Sequence, residues 1–525
     1  RKFKGEAMKN SNVSRRDFVK LSMVGAGALA LGGVNAQAAV NAKDVKFDEE
    51  WDVVIVGSGF AGLAAGITAA EKGNKVLILE KMGRVGGNSV INGGIFAVPN
   101  SDKQKAEGIK DSNELFIKDC LKAGRGLNHV DLIDTIATRA QDAYKLTLKC
   151  GAKYIDKVTH AGGHSVPRSL QTANGSGSGI VQPMVEYFKN LQGCELRQRA
   201  KFDEFVLGED GGVDGVIIRE DYKFDPKSQK DDAENTTGTK KTIKAKKGVV
   251  LAAGGFCRDV FFRQVQDPSI LPTTDSTNHP GATAGAMKEA LRIGATPVQL
   301  SWIQFGPWAC PDEKGFGVGS MFNVNGSFRY GISVDPRTGK RYMNELADRR
   351  TRSQAMFKVI DAKADIYPIN FCDSEGVKNM VIPEHYTKPL ESGVLKKFET
   401  LDELAAAYKI PAAELKKTVE RYNSFVKSGK DEDFGKPMDK TTTNGVDISK
   451  PPFYAMRGTP KLHHTMGGID INTKAQVISL QTEMPIPRLF AAGEITGGVH
   501  GASRLGSVAI ADCLTFGMIA GENIG

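Results

Sequence analysis

The run Asp52-Val53-Val54-Ile55-Val56 leads without a break into Gly57-Ser58-Gly59-Phe60-Ala61-Gly62, and no other segment narrows the choice of fold so far. A continuous apolar strand suits a parallel sheet buried on both faces. The three glycines have separate mechanical uses: Gly57 permits a tight turn, Gly59 lets the backbone approach a pyrophosphate, and Gly62 lets the following helix pack closely on the sheet. That helix, Ala61 to about Lys72, offers its free N-terminal N–H groups and positive dipole end to phosphates. Ala61, Ala64 and Ala65 keep it near the strand, and Gly73 is placed to stop it. A second strand, Lys75 to Leu79, ends in Glu80, whose carboxylate suits a ribose diol. Strand, glycines, helix, strand and acid in this order predict a dinucleotide site.

NAD and FAD share this fingerprint, so the choice between them comes from elsewhere. Glu80-Lys81 is followed by Gly86-Gly87-Asn88-Ser89 and Asn92-Gly93-Gly94, a glycine and amide loop able to follow an extended ligand. Ala252-Ala253-Gly254-Gly255 closes another strand, and Leu489-Phe490-Ala491-Ala492-Gly493-Glu494 near the C-terminus is a third strand running into a glycine and an acid. FAD is long enough to need that second contact. The sequence predicts non-covalent FAD, with His279-Pro280-Gly281-Ala282-Thr283 read as a turn before a helix rather than an attachment site. A nucleotide-binding pattern opens and closes the chain with a different kind of sequence between. The fold class predicted is α/β: a doubly wound, Rossmann-like FAD-binding domain of glutathione-reductase type with an inserted α+β capping domain. The expected boundaries are 46–294 and 448–525 for the FAD-binding domain and 295–447 for the cap. The charged stretch Glu220 to Lys247 reads as a solvated β excursion before a strand at Gly248 to Ala253.

With these motifs the sequence resembles the fumarate reductase and succinate dehydrogenase flavoproteins, and within them the exported reductases of flavocytochrome c fumarate reductase and urocanate reductase type. Lys461-Leu462-His463-His464-Thr465-Met466-Gly467-Gly468 is similar to the H-H-T-M-G-G motif, and the resemblance gives His463 the role of holding the substrate carboxylate. Gly497-Gly498-Val499-His500-Gly501-Ala502-Ser503-Arg504-Leu505-Gly506 is similar to H-G-A-N-R-L-G-G, which makes Arg504 the carboxylate clamp. Arg341-Tyr342-Met343-Asn344-Glu345-Leu346-Ala347-Asp348-Arg349 is similar to R-F-x-N-E-x-x-x-R, which makes Arg349 the proton donor. His464, Arg504, Gly506, Ser507, Ala509 and Ile510 join the residues expected along the flavin.

Chemistry supports those residue types. Hydride addition to an activated C=C bond builds negative charge onto the adjoining carboxylate, and fixed cations aimed there stabilise the transition state. A guanidinium matches a carboxylate bidentately. Protonation of the α-carbon from the opposite face is an acid step worth about 10²–10⁴ in rate. Arginine is a poor acid by its solution pKa, so the donor role of Arg349 comes from the resemblance. Glu345 stands one helical turn before Arg349, and a plain i,i+4 ion pair is the competing use of that residue.

The family's fumarate reductases carry a histidine and a T-E-x-x-R-G segment for the second carboxylate. This chain has Gln304-Phe305-Gly306-Pro307-Trp308 and later Ser320-Met321-Phe322-Asn323-Val324-Asn325-Gly326 instead. The expected substrate is therefore a monocarboxylate, urocanate-, cinnamate- or methacrylate-like, with Trp308 and Phe305 lining its far end. The competing readings are a fumarate reductase proper, an FAD dehydrogenase or oxidase running the reverse desaturation, and a non-catalytic flavin carrier.

The net charge of +9 does not indicate nucleic acid. Residues 1–20 hold seven cations against two carboxylates, which accounts for five of those charges and leaves four for the rest of the chain. Ser14-Arg15-Arg16-Asp17-Phe18-Val19-Lys20, the apolar run Leu21 to Val34 and Ala36-Gln37-Ala38 resemble a twin-arginine export signal with its cleavage site. Residues 1–38 are read as an extension plus that signal, with Met8 a plausible start and the mature chain beginning near Ala39 in a periplasmic compartment. The apolar run is short of the roughly 20 residues a permanent membrane helix needs. Seven cysteines lack C-x-x-C spacing, so no metal site and no c-type haem attachment is encoded. A separate periplasmic donor, a multihaem cytochrome c or a flavoprotein, is expected to supply electrons.

Overall fold

The computed structural model describes residues 39–440 and 442–525. The chain separates into two compact units, residues 1–40 and 41–525. The export-signal reading falls on 1–38 and lies outside the described residues; fold and site belong to the second unit.

Five parallel strands form the main sheet: β1 (Glu49–Val56), β2 (Val76–Glu80), β3 (Cys194–Gln198), β4 (Thr239–Leu251) and β5 (Pro485–Ala491). Their order is β3-β2-β1-β4-β5, with Val53 to Val56 opposite Val76 to Leu79 on one side and Gly248 to Leu251 on the other. Val53 to Val56 and Val76 to Leu79 are buried, as parallel strands covered on both faces require. The strand order reverses between β1 and β4, and the crevice beyond their C-terminal ends is where ligands bind in such sheets. Gly57 and Ala252 meet there: a Cβ on Gly57, whose φ is +109°, would stand 2.3 Å from the Ala252 carbonyl oxygen.

Helix α1 (Phe60–Glu71) follows the glycine turn, and α2 (Val508–Asn523), from the other end of the sequence, packs against it. Small residues allow this approach. A Cβ on Gly517 would lie 2.4 Å from the Ala61 carbonyl oxygen, and one on Gly521 2.4 Å from that of Ala65. Both ends of the described chain thereby share one hydrophobic core.

The β excursion is shorter than its charge suggests. β4 begins at Thr239, pairs antiparallel with Val213–Glu220, and only the segment between them leaves the sheet. The lysines of Lys240 to Lys247 read as solvated, yet Ile243 and Ala245 alternate with them and are buried.

A second sheet joins Lys340–Arg341, Ile332–Asp335, Ile369–Cys372, Phe453–Arg457 and Lys396–Phe398, covered by helices Leu401–Tyr408 and Ala412–Ser428. Its core, including Val334, Phe371, Leu415 and Tyr422, is separate from the first. Phe453–Arg457 completes this sheet from beyond residue 447. An antiparallel pair, Ile303–Ala309 with Thr459–Thr465, carries the chain between the two cores. No helix among the described residues is long and apolar enough to cross a membrane.

Candidate active site

The crevice at the strand reversal is lined by Gly57, Gly59, Phe60, Ala61 and Glu80, then by Lys81, Gly86, Gly87, Asn88 and Ser89. Ala253, Gly254, Gly493 and Glu494 close its far side. Gly59 caps α1 with no side-chain hydrogen bond of its own; the Phe60 N–H donates to Ser89 Oγ at 3.0 Å, and Ala61 lines the crevice beside it. Nothing stands within 4 Å of a Cβ built on Gly87 or Gly254, so both glycines leave room there. Gly62 does not line the crevice. A Cβ on it would lie 1.9 Å from the Gly57 carbonyl oxygen, and its absence lets α1 sit against the turn.

Glu80 is buried at the end of β2. Its Oε1 accepts from the Met82 N–H at 2.8 Å, its Oε2 accepts from the Ser58 hydroxyl, and burial pushes its pKa up. Lys81 donates to Thr283 Oγ1 at 2.6 Å and pairs with Asp232 at 3.1 Å. Asp232 belongs to the excursion between Glu220 and Thr239, so that segment covers one end of the crevice.

A second chamber shares Phe60, Asn88, Ser89, Glu494 and Cys513 with the crevice. Asn92, Gly93, His464, Gly506, Ser507, Ala509 and Ile510 line it, as do Arg349, His463, Arg504 and Trp308. Ser507 sits in a left-handed conformation and starts α2, again without a side-chain cap, so a second helix N-terminus opens here. Gly94 and Gly255 line neither space. Gly94, at φ +64°, packs on Thr172 and Ser176, while Gly255 lies against Glu494 and Thr465. The crevice and chamber share walls and each meets a helix N-terminus, a fit for FAD: pyrophosphate at α1, isoalloxazine toward α2.

Arg349 is the first residue of the helix Arg349–Val359, whose cap is Asp348, accepting from Thr351 N. Its guanidinium lies 4.4 Å from the Trp308 ring centroid and donates from Nη1 to Gln304 Oε1 at 3.2 Å. Gln304 Nε2 in turn donates to Ser503 Oγ at 3.0 Å and to the Arg504 carbonyl oxygen at 3.1 Å. Gln304 thus ties the helix of Arg349 to the loop of Arg504. The i,i+4 ion pair is not formed: Arg341 takes both Glu345 oxygens. None of Arg349, Arg352 and Arg504 forms an ion pair among the described residues, although all three line the chamber. Burial lowers all three pKa values, Arg352 and Arg504 to about 10, and the cations depress Arg349 further. Such a set of unpaired, desolvated cations calls for an anion.

His463 is held by Thr277, whose Oγ1 lies 2.7 Å from Nδ1. The same hydroxyl donates to the Leu462 carbonyl oxygen at 3.2 Å, and that carbonyl also accepts from Ser276 Oγ and Thr277 N. Burial first, then Arg349, Arg504 and His464, keep His463 neutral. His464 lies behind it, with Nδ1 3.5 Å from Glu494 Oε2 and its ring on His500.

Phe305 does not line the chamber; it packs edge-on against Phe357 with ring centroids 5.0 Å apart. Strand alternation is the reason. Residues 305 and 308 are an odd number apart and face opposite sides, whereas Gln304 and Trp308 share a face. That periodicity was the signal for Gln304. Arg352, one turn beyond Arg349, had a comparable signal in its i,i+3 spacing; Thr277 had none in sequence. The chamber's far wall is Met321, Val324, Phe328 and Leu346. Asn325 also lines the chamber and meets His385 at 3.0 Å, and Arg329, a fourth arginine of the lining without an ion pair among the described residues, donates to the His160 carbonyl at 2.6 Å.

A family model described as FAD binding domain matches residues 52–510. The acrylate reductase flavoprotein subunit of Shewanella woodyi is 44% identical over 510 residues, covering 97% of each chain. The urocanate reductase of Eggerthella lenta is 35% identical over 488 residues, covering 90% of this chain and 74% of its own. Among solved structures, the open conformation of a flavocytochrome c3 fumarate reductase superposes with a TM-score of 0.68 at 30% identity, covering 98% of this chain and 82% of that one.

Proposed function

The chain belongs to the FAD binding domain family and is an FAD-dependent oxidoreductase acting on CH–CH bonds, of fumarate and urocanate reductase type; from that premise we propose that it reduces the C=C bond of a monocarboxylic 2-enoate. The observation that carries this reading is the trio Arg349, half-buried, and Arg352 and Arg504, buried, without carboxylate partners among the described residues in a chamber that shares its walls with the dinucleotide crevice.

Reduced FAD supplies the hydride equivalent taken by the β-carbon. Arg504 forks the substrate carboxylate and neutralises the charge that grows there, and His463 helps hold the same oxygens. Arg349 holds a proton on its guanidinium for the α-carbon. Burial and the neighbouring cations lower its pKa, which makes it a stronger acid than a solvated arginine. Gln304 and Trp308, both buried, fix that guanidinium, and with the buried Arg504 they limit the water that reaches it.

The apolar lining by Met321, Val324, Phe328 and Leu346 favours a monocarboxylate over fumarate, and the relative at 44% identity is named for acrylate. In this reading the body 46–294 with 448–525 carries Arg504 and His463, and the cap 295–447 carries Arg349. The twin-arginine-like segment supports work outside the cytoplasm. The Shewanella woodyi relative is named as a subunit, which favours a separate electron donor.

Steady-state reduction by viologen-reduced enzyme tests the reading. Acrylate-, cinnamate- or urocanate-like acids are expected to turn over faster than fumarate; fumarate outrunning every monocarboxylate would overturn it.

A further inference from the structure

Gly306 stands where a side chain would crowd an indole. A Cβ there would lie 3.0 and 3.1 Å from the Cζ2 and Cε2 atoms of Trp308 and 3.3 Å from the His463 Cβ, so the ring would have to give by a few tenths of an ångström. The glycine therefore lets the ring sit close against the strand. The strand is pinned as well, since the Trp308 carbonyl oxygen accepts from Asn323 Nδ2 at 2.8 Å. So placed, the indole offers one face to the Arg349 guanidinium at 4.4 Å and its edge to the His463 ring, with centroids 4.9 Å apart at 83°. Its one polar atom, Nε1, is fully buried, so the surface it gives the chamber is carbon.

We propose that Trp308, seated over Gly306, is the specificity-determining residue of the site, restricting it to 2-enoates that carry hydrogen or one small apolar group on the β-carbon. This rests on the monocarboxylic enoate reading and narrows it. Any ligand with its carboxylate on Arg504 and His463 and its α-carbon facing Arg349 has the indole beside it, because the indole touches both His463 and Arg349. A bulky β-substituent meets a ring that cannot retreat. A second carboxylate meets a carbon surface whose π face is electron-rich and already holds the Arg349 guanidinium.

The test uses FAD-loaded wild-type enzyme with the Trp308→Ala, Trp308→Phe and Gly306→Ala variants, each checked for flavin content by absorbance, and compares acrylate, crotonate and cinnamate. Wild type is expected to prefer acrylate. In Trp308→Ala the ratio of kcat/KM for cinnamate to that for acrylate should rise at least about tenfold, the size of effect that pocket shape commonly supplies. Trp308→Phe should fall between, and Gly306→Ala should move the ratio the same way by displacing the ring. An unchanged ratio in flavin-loaded Trp308→Ala or Trp308→Phe, or a wild-type preference for cinnamate, would overturn the role given to Trp308 and leave the enoate reading standing. A wild-type preference for fumarate would overturn both.

Discussion

Glu345 gives both carboxylate oxygens to Arg341, Oε1 to Nε at 3.0 Å and Oε2 to Nη2 at 2.7 Å, although Arg349 lies only four residues further on. Asp431 also accepts from Arg341, and Lys436 stands 3.8 Å from Glu345, so the cap contains a buried ionic cluster that excludes Arg349. Removing Glu345 and removing Arg349 should then shift stability in opposite directions. Breaking a buried pair typically costs about 3–5 kcal/mol, so Glu345→Ala should lower the melting temperature by many degrees. Arg349→Met removes a desolvated cation that Arg504 and Arg352 repel. It should leave flavin-free stability unchanged or raised while abolishing enoate reduction. Thermal melts of both variants decide this; a large loss in Arg349→Met would mean the residue is structural.

Alkaline pH should weaken substrate binding before it unfolds the protein. Burial pushes the Arg504 pKa down to about 10, with Glu494 offsetting part of the fall. A depressed folded value means the charged form is disfavoured by the fold, so stability from this group is gained as pH rises past 10 and is absent at neutral pH. Carboxylate binding has the opposite requirement, the charged form. KM for the enoate is expected to be flat between pH 7 and 9 and to climb above about pH 10, by up to roughly tenfold per unit once deprotonation is complete. His463, held neutral far below its ordinary range, should add no break near pH 6.5. A KM flat to pH 11 would remove Arg504 from carboxylate binding.

The glycine turn, its helix and the second strand were legible because each rests on local chemistry: a left-handed Gly57, a Gly62 with no room for a side chain, an apolar strand. Sheet order was not, since nothing local in Thr239–Leu251 announces that it joins Glu49–Val56 across nearly two hundred residues. The site divides in the same way. His463, Arg504 and Arg349 came from motifs. Phe305 was assigned to the chamber by proximity in sequence to Trp308, whereas strand alternation turns it away and brings in Gln304. Thr277 and Asp232 reach the site through tertiary contacts alone.

Arg352 follows Arg349 by three residues, is the more buried of the two, and donates from Nη1 to the Glu345 carbonyl oxygen at 3.2 Å. Its charge is one of the two that depress Arg349. Replacing it by glutamine should therefore raise the Arg349 pKa, move the alkaline limb of kcat upward, and slow turnover at neutral pH because the acid is weaker. Arg352→Lys should restore most of the wild-type profile. A kcat profile in Arg352→Gln that scales down uniformly without moving would assign the residue to packing instead.

Gly62 allows the most direct test of the dinucleotide crevice. A Cβ at this position would lie 1.9 Å from the Gly57 carbonyl oxygen and 3.0 Å from its carbon, both backbone atoms that cannot swing aside. Gly62→Ala must open the turn that presents α1 to the cofactor, and the purified protein should hold under about a tenth of the wild-type FAD, since the pyrophosphate depends on that turn and helix end. Gly73 supplies the contrast. Its φ of +87° makes a Cβ costly, about 1–2 kcal/mol, but nothing lies within 4 Å of it. Gly73→Ala should melt earlier and still bind FAD fully. The two variants separate loss of stability from loss of cofactor, and a Gly62→Ala protein with full flavin absorbance would show that the crevice tolerates a displaced helix.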